Sequence, residues 1–593
     1  MIEPMKKLSL VCLEEHREQT IEQLAELGTV HVHPAQPPDS VQLASLRNRH
    51  GRLARAMAVL DNIAPDDRAA ICGQSPDAEE LCASVMEATA ECNTLQTRID
   101  ALHLELQELQ PWGDFDPETI AALRKNNLVV AFGKSAAGHL PELPEGAVLH
   151  KTATFGRQDY FVVVAPAGTT LPFTPLPVSQ TTSARELRKQ LADSEQALAE
   201  QHSLLAALTS CSAVLHDELR QLEAEIAHCV ARDGMGQKGR LAYLQGYIPV
   251  NKVDSLREAA RRQGWALLLS DPDRADRCVP TLVRLPRWVE PIRLVFKSLG
   301  VIPGYHEIDI SAWFLIFFSL FFAILIGDAG YGAVFLVATV ALRKKFPKAP
   351  AQPFWLFGEL AVCTIVWGVL SGTYFGWTGG GRNIAVLEAL TDSIQVQKLC
   401  FLIGVIHLAI AHIWNALMIG WRVRAISELG WVLIFCGNFF LAGQMVLGQQ
   451  VAPGLLWWLY GPGALAVVLF SRPSFNPFKA VAGGLGSLAM NIINSFVDLV
   501  SYIRLFAVGA ATVAVAQSFN SMALGMQMHP LLKGLAVAVI LLLGHGLNIV
   551  LCAMSVLVHG IRLNMLEFSG HLGMEWAGVP YRPLAKPSRR KQS

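Results

Sequence analysis

The sequence predicts a chain of two parts. The first is an N-terminal α+β cytoplasmic domain, two small α/β lobes joined by an antiparallel hairpin coiled coil. The second is an all-α polytopic membrane domain of about eight transmembrane helices, the last two long and tilted. Three observations carry this prediction. Charge is unevenly placed: residues 1–311 hold 41 acidic and 31 basic residues, while 312–593 hold 8 and 18. Apolar runs long enough to span a bilayer occur only in the second part. Two stretches of the first part repeat apolar residues at alternating spacings of three and four, the seam of a coiled coil.

Composition excludes several classes. The chain is only 17% charged, against about a quarter for a soluble protein, so it is not a soluble enzyme throughout. The charge-rich part is net acidic, which argues against a nucleic-acid surface. The 11 cysteines are scattered and form no Cys-x-x-Cys pair, so neither a zinc cluster nor a redox motif is supported. No Gly-x-x-x-x-Gly-Lys-Ser/Thr or Gly-x-Gly-x-x-Gly loop occurs, so no nucleotide site, cofactor or metal is expected. The segment Met1-Ile-Glu-Pro-Met-Lys-Lys7 lacks the apolar core of a signal peptide, which places residues 1–311 in the cytoplasm.

In chain order, Lys7 to Leu13 reads as a strand, Glu14 to Leu27 as a helix stopped by Gly28, and Thr29 to His33 as a second strand. A coiled-coil stretch near 41–110 follows, with the seam Cys92, Leu95, Ile99, Leu102, Leu106, Leu109, ended by Pro111-Trp-Gly113. Leu128 to Phe132 and Tyr160 to Val164 read as strands, and Leu171 to Pro177 as a connector. A second long helix, about Ser183 to Arg232, carries a seam that includes Leu187, Leu191, Leu198, Leu205, Leu215, Leu222 and Ile226. As one helix it would measure about 75 Å at about 1.5 Å per residue, the geometry of a strut. A second α/β stretch spans Gly239 to Leu269.

Seven apolar runs lie at about 312–342, 354–377, 398–421, 429–449, 454–471, 483–520 and 531–568. Basic residues follow the first (Arg343, Lys344, Lys345, Lys348), the third (Arg422, Arg424), the fifth (Arg472, Lys479) and the last (Lys586, Arg589, Arg590, Lys591). All four clusters are cytoplasmic only if the first run goes out and returns, with its turn in Gly327-Asp-Ala-Gly-Tyr-Gly332. The boundaries are then 1–311 cytoplasmic, 312–580 membrane and 581–593 a basic cytoplasmic tail.

The last two runs carry intramembrane charge, which is costly unless partnered or functional. Arg504 lies in one and Arg562 in the other. His545, Asn548, Cys552, Ser555, His559 and Arg562 are spaced three, four, three, four and three, one stripe on an unbroken helix. Asn491, Asn494, Asp498, Ser501 and Arg504 share a sector of the other helix. Asp498, six residues before Arg504, is on a different part of that face, so the arginine is expected to meet a carboxylate of another chain. His407 and His412 read as satisfied structural histidines.

Several segments resemble one family: Leu27-Gly-Thr-Val-His31, Gly246-Tyr-Ile-Pro249, Pro303-Gly-Tyr-His-Glu-Ile-Asp309, Gly327-Asp-Ala-Gly-Tyr-Gly332 and Trp367-Gly-Val-Leu-Ser-Gly-Thr-Tyr-Phe-Gly376. The most specific are Ser501-Tyr-Ile-Arg-Leu-Phe506, Gly544-His-Gly-Leu-Asn548 and His559-Gly-Ile-Arg-Leu563. Taken in order over nearly the whole length, the chain resembles the membrane stator subunit of rotary V-type and archaeal-type ATPases, of prokaryotic type. The resemblance implies a non-catalytic subunit in a prokaryotic inner membrane, both termini cytoplasmic. Its partners would be a rotor ring of proteolipid subunits, E/G-type peripheral stalks, a central-stalk socket subunit, lipid and, indirectly, the catalytic ATPase subunits. It implies that Arg504 and Arg562 face the rotor's ion-carrying carboxylates, and that His545, Asn548, Ser555, His559, Ser501 and Asp498 line half-channels for H⁺ or Na⁺. Eukaryotic members carry an acidic residue ten positions before the second arginine; here that position is Cys552. A secondary transporter with a cytoplasmic regulatory domain is the alternative, disfavoured by the lack of repeats and by two arginine helices that read as uninterrupted. A membrane-anchored coiled-coil scaffold would not explain the polar stripes.

Overall fold

The computed structural model describes residues 1–63, 77–178, 182–347, 349–377, 384–472, 476–526 and 529–586. Lys348, Arg589, Arg590, Lys591, part of the first coiled-coil stretch and most of the 581–593 tail lie outside them. The chain divides into two compact units. One holds residues 9–246, 260–267 and the described residues from 583 on. The other holds 1–8, 247–259 and 268–582.

In chain order the elements are β1 (Met5–Leu13), α1 (Arg17–Leu27), β2 (His31–His33), α2 (Val41–Asp61) and α3 (Ala78–Leu109). Gly28, at φ +59°, closes α1, a left-handed position that suits glycine. Next come α4 (Pro117–Lys125), β3 (Leu128–Ala136), β4 (Val148–Phe155), β5 (Gln158–Pro166), α5 (Ala184–Leu208), α6 (Ser212–Asp233), β6 (Gly236–Lys238), β7 (Leu241–Pro249), α7 (Val253–Gln263) and β8 (Ala266–Ser270). Ser183 caps α5 by accepting from the Glu186 amide at 3.2 Å, the sequence pattern of a capping box. α3 packs along α5, and α2 along α6.

The stretch 183–232 is not one helix. A 3₁₀ turn at Thr209–Cys211 separates α5 from α6. The Thr209 and Ser210 hydroxyls donate to the Ala206 and Ala207 carbonyls at 2.6 and 2.7 Å, local bonds that compete with the helical ladder.

One sheet runs β2-β7-β1-β8, and another β3-β5-β4. In the latter, Val130 faces Val164 and Phe132 faces Val162, and Phe132 and Phe161 are buried in two separate clusters. The edge strand β4 has no clear alternation of buried residues and bulges between Lys151 and Ala153, so its polar sequence hides it.

The second unit is mainly helical: α8 (Arg293–Leu299), α9 (Ser311–Ile326), α10 (Ala329–Lys345), α11 (Ala351–Ser371), α12 (Ser393–Ile419), α13 (Arg424–Leu447), α14 (Pro453–Phe470), α15 (Pro477–Val500), α16 (Ile503–Gly525) and α17 (Pro530–Ser555). Among the described residues, five helices are long and apolar enough to cross a membrane: Ala351–Ser371, Ser393–Ile419, Arg424–Leu447, Val481–Gly525 and Leu532–His571. Two shorter apolar helices are Ser311–Ile326 and Gly454–Phe470. Trp355, Leu402, Ile406, Leu542 and Leu547 face outward, a surface that needs lipid rather than water. The chain is a multi-pass membrane protein.

The first apolar run breaks at Gly327 (φ +69°). Asp328 then caps α10, accepting from the Gly330 and Tyr331 amides at 2.7 and 3.3 Å. The same carboxylate accepts from the Phe375 and Gly376 amides at 2.8 and 2.7 Å, tying the loop after α11 to the start of α10. α16 lies against α9 with no side chain between them at Gly509, where a Cβ would sit 2.5 Å from the Ile324 carbonyl.

The two arginine helices each run on as one long span, as the sequence suggests, but both are locally irregular. Ser501 and Tyr502 form a turn between α15 and α16, with three-residue bonds from the Arg504 and Leu505 amides to the Ser501 and Tyr502 carbonyls at 3.2 and 3.1 Å. The last helix widens into π turns at Val556–Gly560 and Leu563–Phe568. Such turns rotate every side chain beyond them and often accompany functional sites.

Candidate functional site

The turn at Ser501–Tyr502 and the π turns at the end of α17 bring together residues far apart in sequence. Arg504 Nη2 donates to Glu567 Oε1 at 2.8 Å, and Arg504 Nε to the Ser501 carbonyl at 3.0 Å. Arg562 Nε stands 3.5 Å from the same Glu567 oxygen. The Ser501 hydroxyl reaches that oxygen at 3.3 Å. Two guanidiniums from two helices thus converge on one buried carboxylate. Arg562 is half exposed and Arg504 about one-quarter exposed (52% and 26%), whereas Glu567 is buried. Glu567 Oε2 is buried with no hydrogen bond among the described residues. The cluster leaves one acceptor atom open beneath two cations.

Arg504 thus has a carboxylate partner within its own chain, beside the one the sequence suggested on another. Glu567 lies 63 residues from Arg504, and no helical spacing links positions on two different helices. Its only sequence signal is being an acidic residue in an apolar run five positions after Arg562.

The proposed stripe on the last helix does not run straight. Its upper members turn inward. His545 Nδ1 pairs with the Tyr331 hydroxyl at 2.7 Å, and His545 Nε2 with Asn520 Oδ1 at 3.1 Å. Asn548 Nδ2 donates to Tyr331 Oη at 3.0 Å and to the Thr512 carbonyl at 2.9 Å. Cys552 Sγ is 3.6 Å from Thr512 Oγ1. Asn548 and Cys552 are buried, Ser555 and His559 are half-buried, and Arg562 is exposed. The wide turn at Val556–Gly560 follows Ser555 and contains His559. Asp498 belongs to a third group, where His571 Nε2 meets its Oδ2 at 3.2 Å. Asn491 and Asn494 are exposed.

His407 is only half satisfied, unlike the satisfied histidine the sequence suggested, because its buried Nε2 has no hydrogen bond among the described residues. It is buried between the rings of Phe317 and Phe568, with centroids 3.9 and 4.2 Å away, and bonds the Tyr502 hydroxyl at 2.8 Å.

A cavity of about 710 Å³ lies along α16 between Phe506 and Gln517 and is lined further by Ser371, Thr373, Thr391 and Ser393. One end therefore reaches within two residues of Arg504. Among the described residues no group of histidine, cysteine and acidic side chains could hold a metal ion.

No family model matches the chain. It is similar to "V-type ATP synthase subunit I 1" of Treponema pallidum (strain Nichols), 31% identical over 98% of this chain and 100% of the relative. It is also similar to "V-type ATP synthase subunit I" of Borreliella burgdorferi, 29% identical over 99% of this chain and 100% of the relative. A crystal structure of "the cytoplasmic N-terminal domain of subunit I, homolog of subunit a, of V-ATPase" covers 45% of this chain and 100% of its own at 17% identity, with a TM-score of 0.20, a likeness too slight to bear on the fold.

Proposed function

Because the chain belongs to the subunit I family of V-type ATP synthases, we propose that its membrane domain supplies the stator charge and the ion half-channels of a rotary ATPase. The chain is a non-catalytic membrane subunit of that complex. Ion movement through it is coupled to ATP synthesis or hydrolysis on other subunits.

The convergence of Arg504 and Arg562 on Glu567 Oε1 is the observation that carries this reading. Around it, Met490, Ile493 and Val497 on α15 and Met554, Leu557 and Val558 on the last helix are exposed. That surface fits an apolar ring whose own carboxylates arrive in turn. In lipid, a ring carboxylate is neutral, carrying H⁺ or another ion, because bare charge is costly there. Beside Arg504 the adjacent cation favours its ionised form, so the ion is released. Glu567 holds the guanidinium in place between arrivals. Arg504 also bars a direct leak between two offset aqueous paths.

The cavity along α16 is assigned to one path, and His545 and Asn548 to the lining of a half-channel. Ser501, Asp498, Ser555 and His559 are assigned to the approaches of the two arginines. Counting α9, α10, α11, α12, α13, α14, α15–α16 and α17 gives eight crossings. All four basic clusters are then cytoplasmic, as are both termini. Residues 1–311 would hold the subunit still by docking on peripheral stalks, with the α2–α6 and α3–α5 pairs as the strut. The proteolipid ring and the central-stalk socket are the other partners.

The test compares ATP-driven ion uptake by vesicles carrying the assembled complex, wild type against Arg504→Gln. We expect uptake to fall at least about a hundredfold, with assembly and ATPase content unchanged. Normal uptake in the variant would leave Arg504 a structural residue and remove the reading.

A further inference from the structure

His412, which the sequence presents as one more structural histidine, sits in an arrangement unlike that of His407. Its Nδ1 meets Glu428 Oε2 at 2.8 Å, and its Nε2 meets His571 Nδ1 at 3.2 Å. His571 Nε2 in turn meets Asp498 Oδ2 at 3.2 Å. Four titratable side chains from four helical segments thus form one unbroken line, Glu428–His412–His571–Asp498. Asn415 Nδ2 donates to the His571 carbonyl at 3.0 Å and braces its backbone. The ring of Phe435 lies against both imidazoles, with centroids 5.5 and 5.3 Å away, and Trp431 stacks on His412 at 6.1 Å.

Counting protons shows what the line holds. Three hydrogen bonds need three protons, and two neutral imidazoles supply two. A line with all three bonds filled would carry the third as one additional proton. His412 is 7% exposed, Glu428 15%, His571 18% and Asp498 32%, so the line is most shielded at His412 and most open at Asp498. At the Asp498 end, its carbonyl accepts from the Ser501 hydroxyl at 2.7 Å. That same hydroxyl reaches Glu567 at 3.3 Å, so the line ends beside the Arg504 cluster. Glu428 lies one turn inside α13, which begins at Arg424.

We propose that Glu428, His412, His571 and Asp498 form a proton relay between the Arg422/Arg424 side of the membrane and the Arg504 site, and that the ion this chain passes is therefore H⁺. This rests on the stator reading above and adds the identity of the ion to it.

The transfers balance. A proton on Asp498 Oδ2 leaves it as an N–H bond forms at His571 Nε2. His571 gives its Nδ1 proton to His412 Nε2, and His412 gives its Nδ1 proton to Glu428 Oε2. One proton enters and one leaves. Each imidazole ends as its other tautomer and resets by turning its ring or by transfer in the reverse direction. Imidazole suits this because each of its two nitrogens can donate or accept. A hard cation such as Na⁺ needs a shell of oxygen ligands. The nitrogen-to-nitrogen contact under two aromatic rings offers none, so Na⁺ cannot follow this line.

The experiment uses vesicles carrying the assembled complex, with a pH-sensitive dye and radiolabelled Na⁺ as probes. Wild type, Arg504→Gln, His571→Gln, His571→Ala and Glu428→Gln are compared at equal ATPase content. In wild type we expect ATP-driven acidification, collapse by a protonophore and no Na⁺ uptake. His571→Gln and Glu428→Gln should each lower the proton rate at least about tenfold, the scale of a lost acid–base group. Azide, a small permeant weak acid unlike imidazole in shape, should recover part of the rate in His571→Ala. A residue that only packs would not respond to a proton carrier.

Normal rates in both His571→Gln and Glu428→Gln, with Arg504→Gln inactive, would overturn the relay and leave the stator reading standing. Protonophore-resistant Na⁺ uptake by wild type would overturn the ion assignment even if no variant assembled. An active Arg504→Gln complex would remove the stator reading itself, whatever the His571 variants do.

Discussion

Glu567 in the membrane unit and Asp159 in the β3-β5-β4 lobe are both buried carboxylates paired with cations, but they are satisfied differently. Asp159 uses both oxygens. Oδ1 accepts from Lys151 Nζ and Thr154 Oγ1, each at 2.7 Å, and Oδ2 from the Gly138 amide at 2.9 Å. Glu567 crowds Arg504, Ser501 and Arg562 around one oxygen and leaves the other buried without a hydrogen bond. A buried polar atom without a partner is expensive, and a charge with two cations and a spare acceptor is poised to rearrange. Full satisfaction marks a carboxylate that holds a fold together. Partial satisfaction under two guanidiniums marks one that can exchange partners.

Glu567→Gln should test this difference most strongly. Removing one member of a buried ion pair costs about 3–5 kcal/mol, and the partial exposure of Arg504 reduces the expected loss to about 2 kcal/mol. Thermal unfolding of the purified, detergent-solubilised protein reads it. The double variant Arg504→Gln/Glu567→Gln should recover more than half of that loss, because the uncompensated cation is gone. If the two losses simply add, the pair is not coupled, and Glu567 is no counter-charge for Arg504.

Tyr331 supplies an uncharged reference within the same helices. Its hydroxyl joins His545 and Asn548, and Asn548 keeps the Thr512 carbonyl if that hydroxyl is lost. Tyr331→Phe should cost about 1 kcal/mol and slow ion uptake only about two- to fivefold, since it frees His545 without removing a charge. Loss of uptake as deep as in Arg504→Gln would show that the neutral cluster is as essential as the charged one, and the contrast between them would collapse.

How far the sequence shows these features depends on whether each is local. Arg504 and Arg562 are visible as charges in apolar runs, and the break at Gly327-Asp328 is visible as a glycine followed by a capping aspartate. The helix stop at Gly28 is equally local. Glu567 is not, because its meaning comes from Arg504 on another helix. The turn at Ser501–Tyr502 and the π turns after Ser555 lie in apolar sequence of ordinary helix-forming type; tertiary contacts produce them, and they divide a stripe that spacing alone draws as continuous. His407 and His412 look alike in sequence. One proves to be stacked between phenylalanines and the other set between a glutamate and a second histidine 159 residues away. Strand β4 escapes notice because an edge strand with one poorly buried face need not alternate.

The smallest effect belongs to Asp159, and it has a definite sign in pH. Its hydrogen bonds from Lys151, the Gly138 amide and Thr154, the lysine contributing most, hold the carboxyl down to about 2, against an ordinary 3.8. A carboxyl lowered in the folded state contributes stability that is complete above its unfolded value and lost as pH falls through the folded one. The lobe should therefore be indifferent to pH above about 5 and weaken progressively between about pH 4 and pH 2. Amide hydrogen exchange in β3 and β5 of the full chain, followed through that window, reads the change. Asp159→Asn should flatten the profile by removing the titrating group. A variant that keeps the full acid dependence would assign it to other carboxylates, and Asp159 would no longer stand as the satisfied counterpart of Glu567.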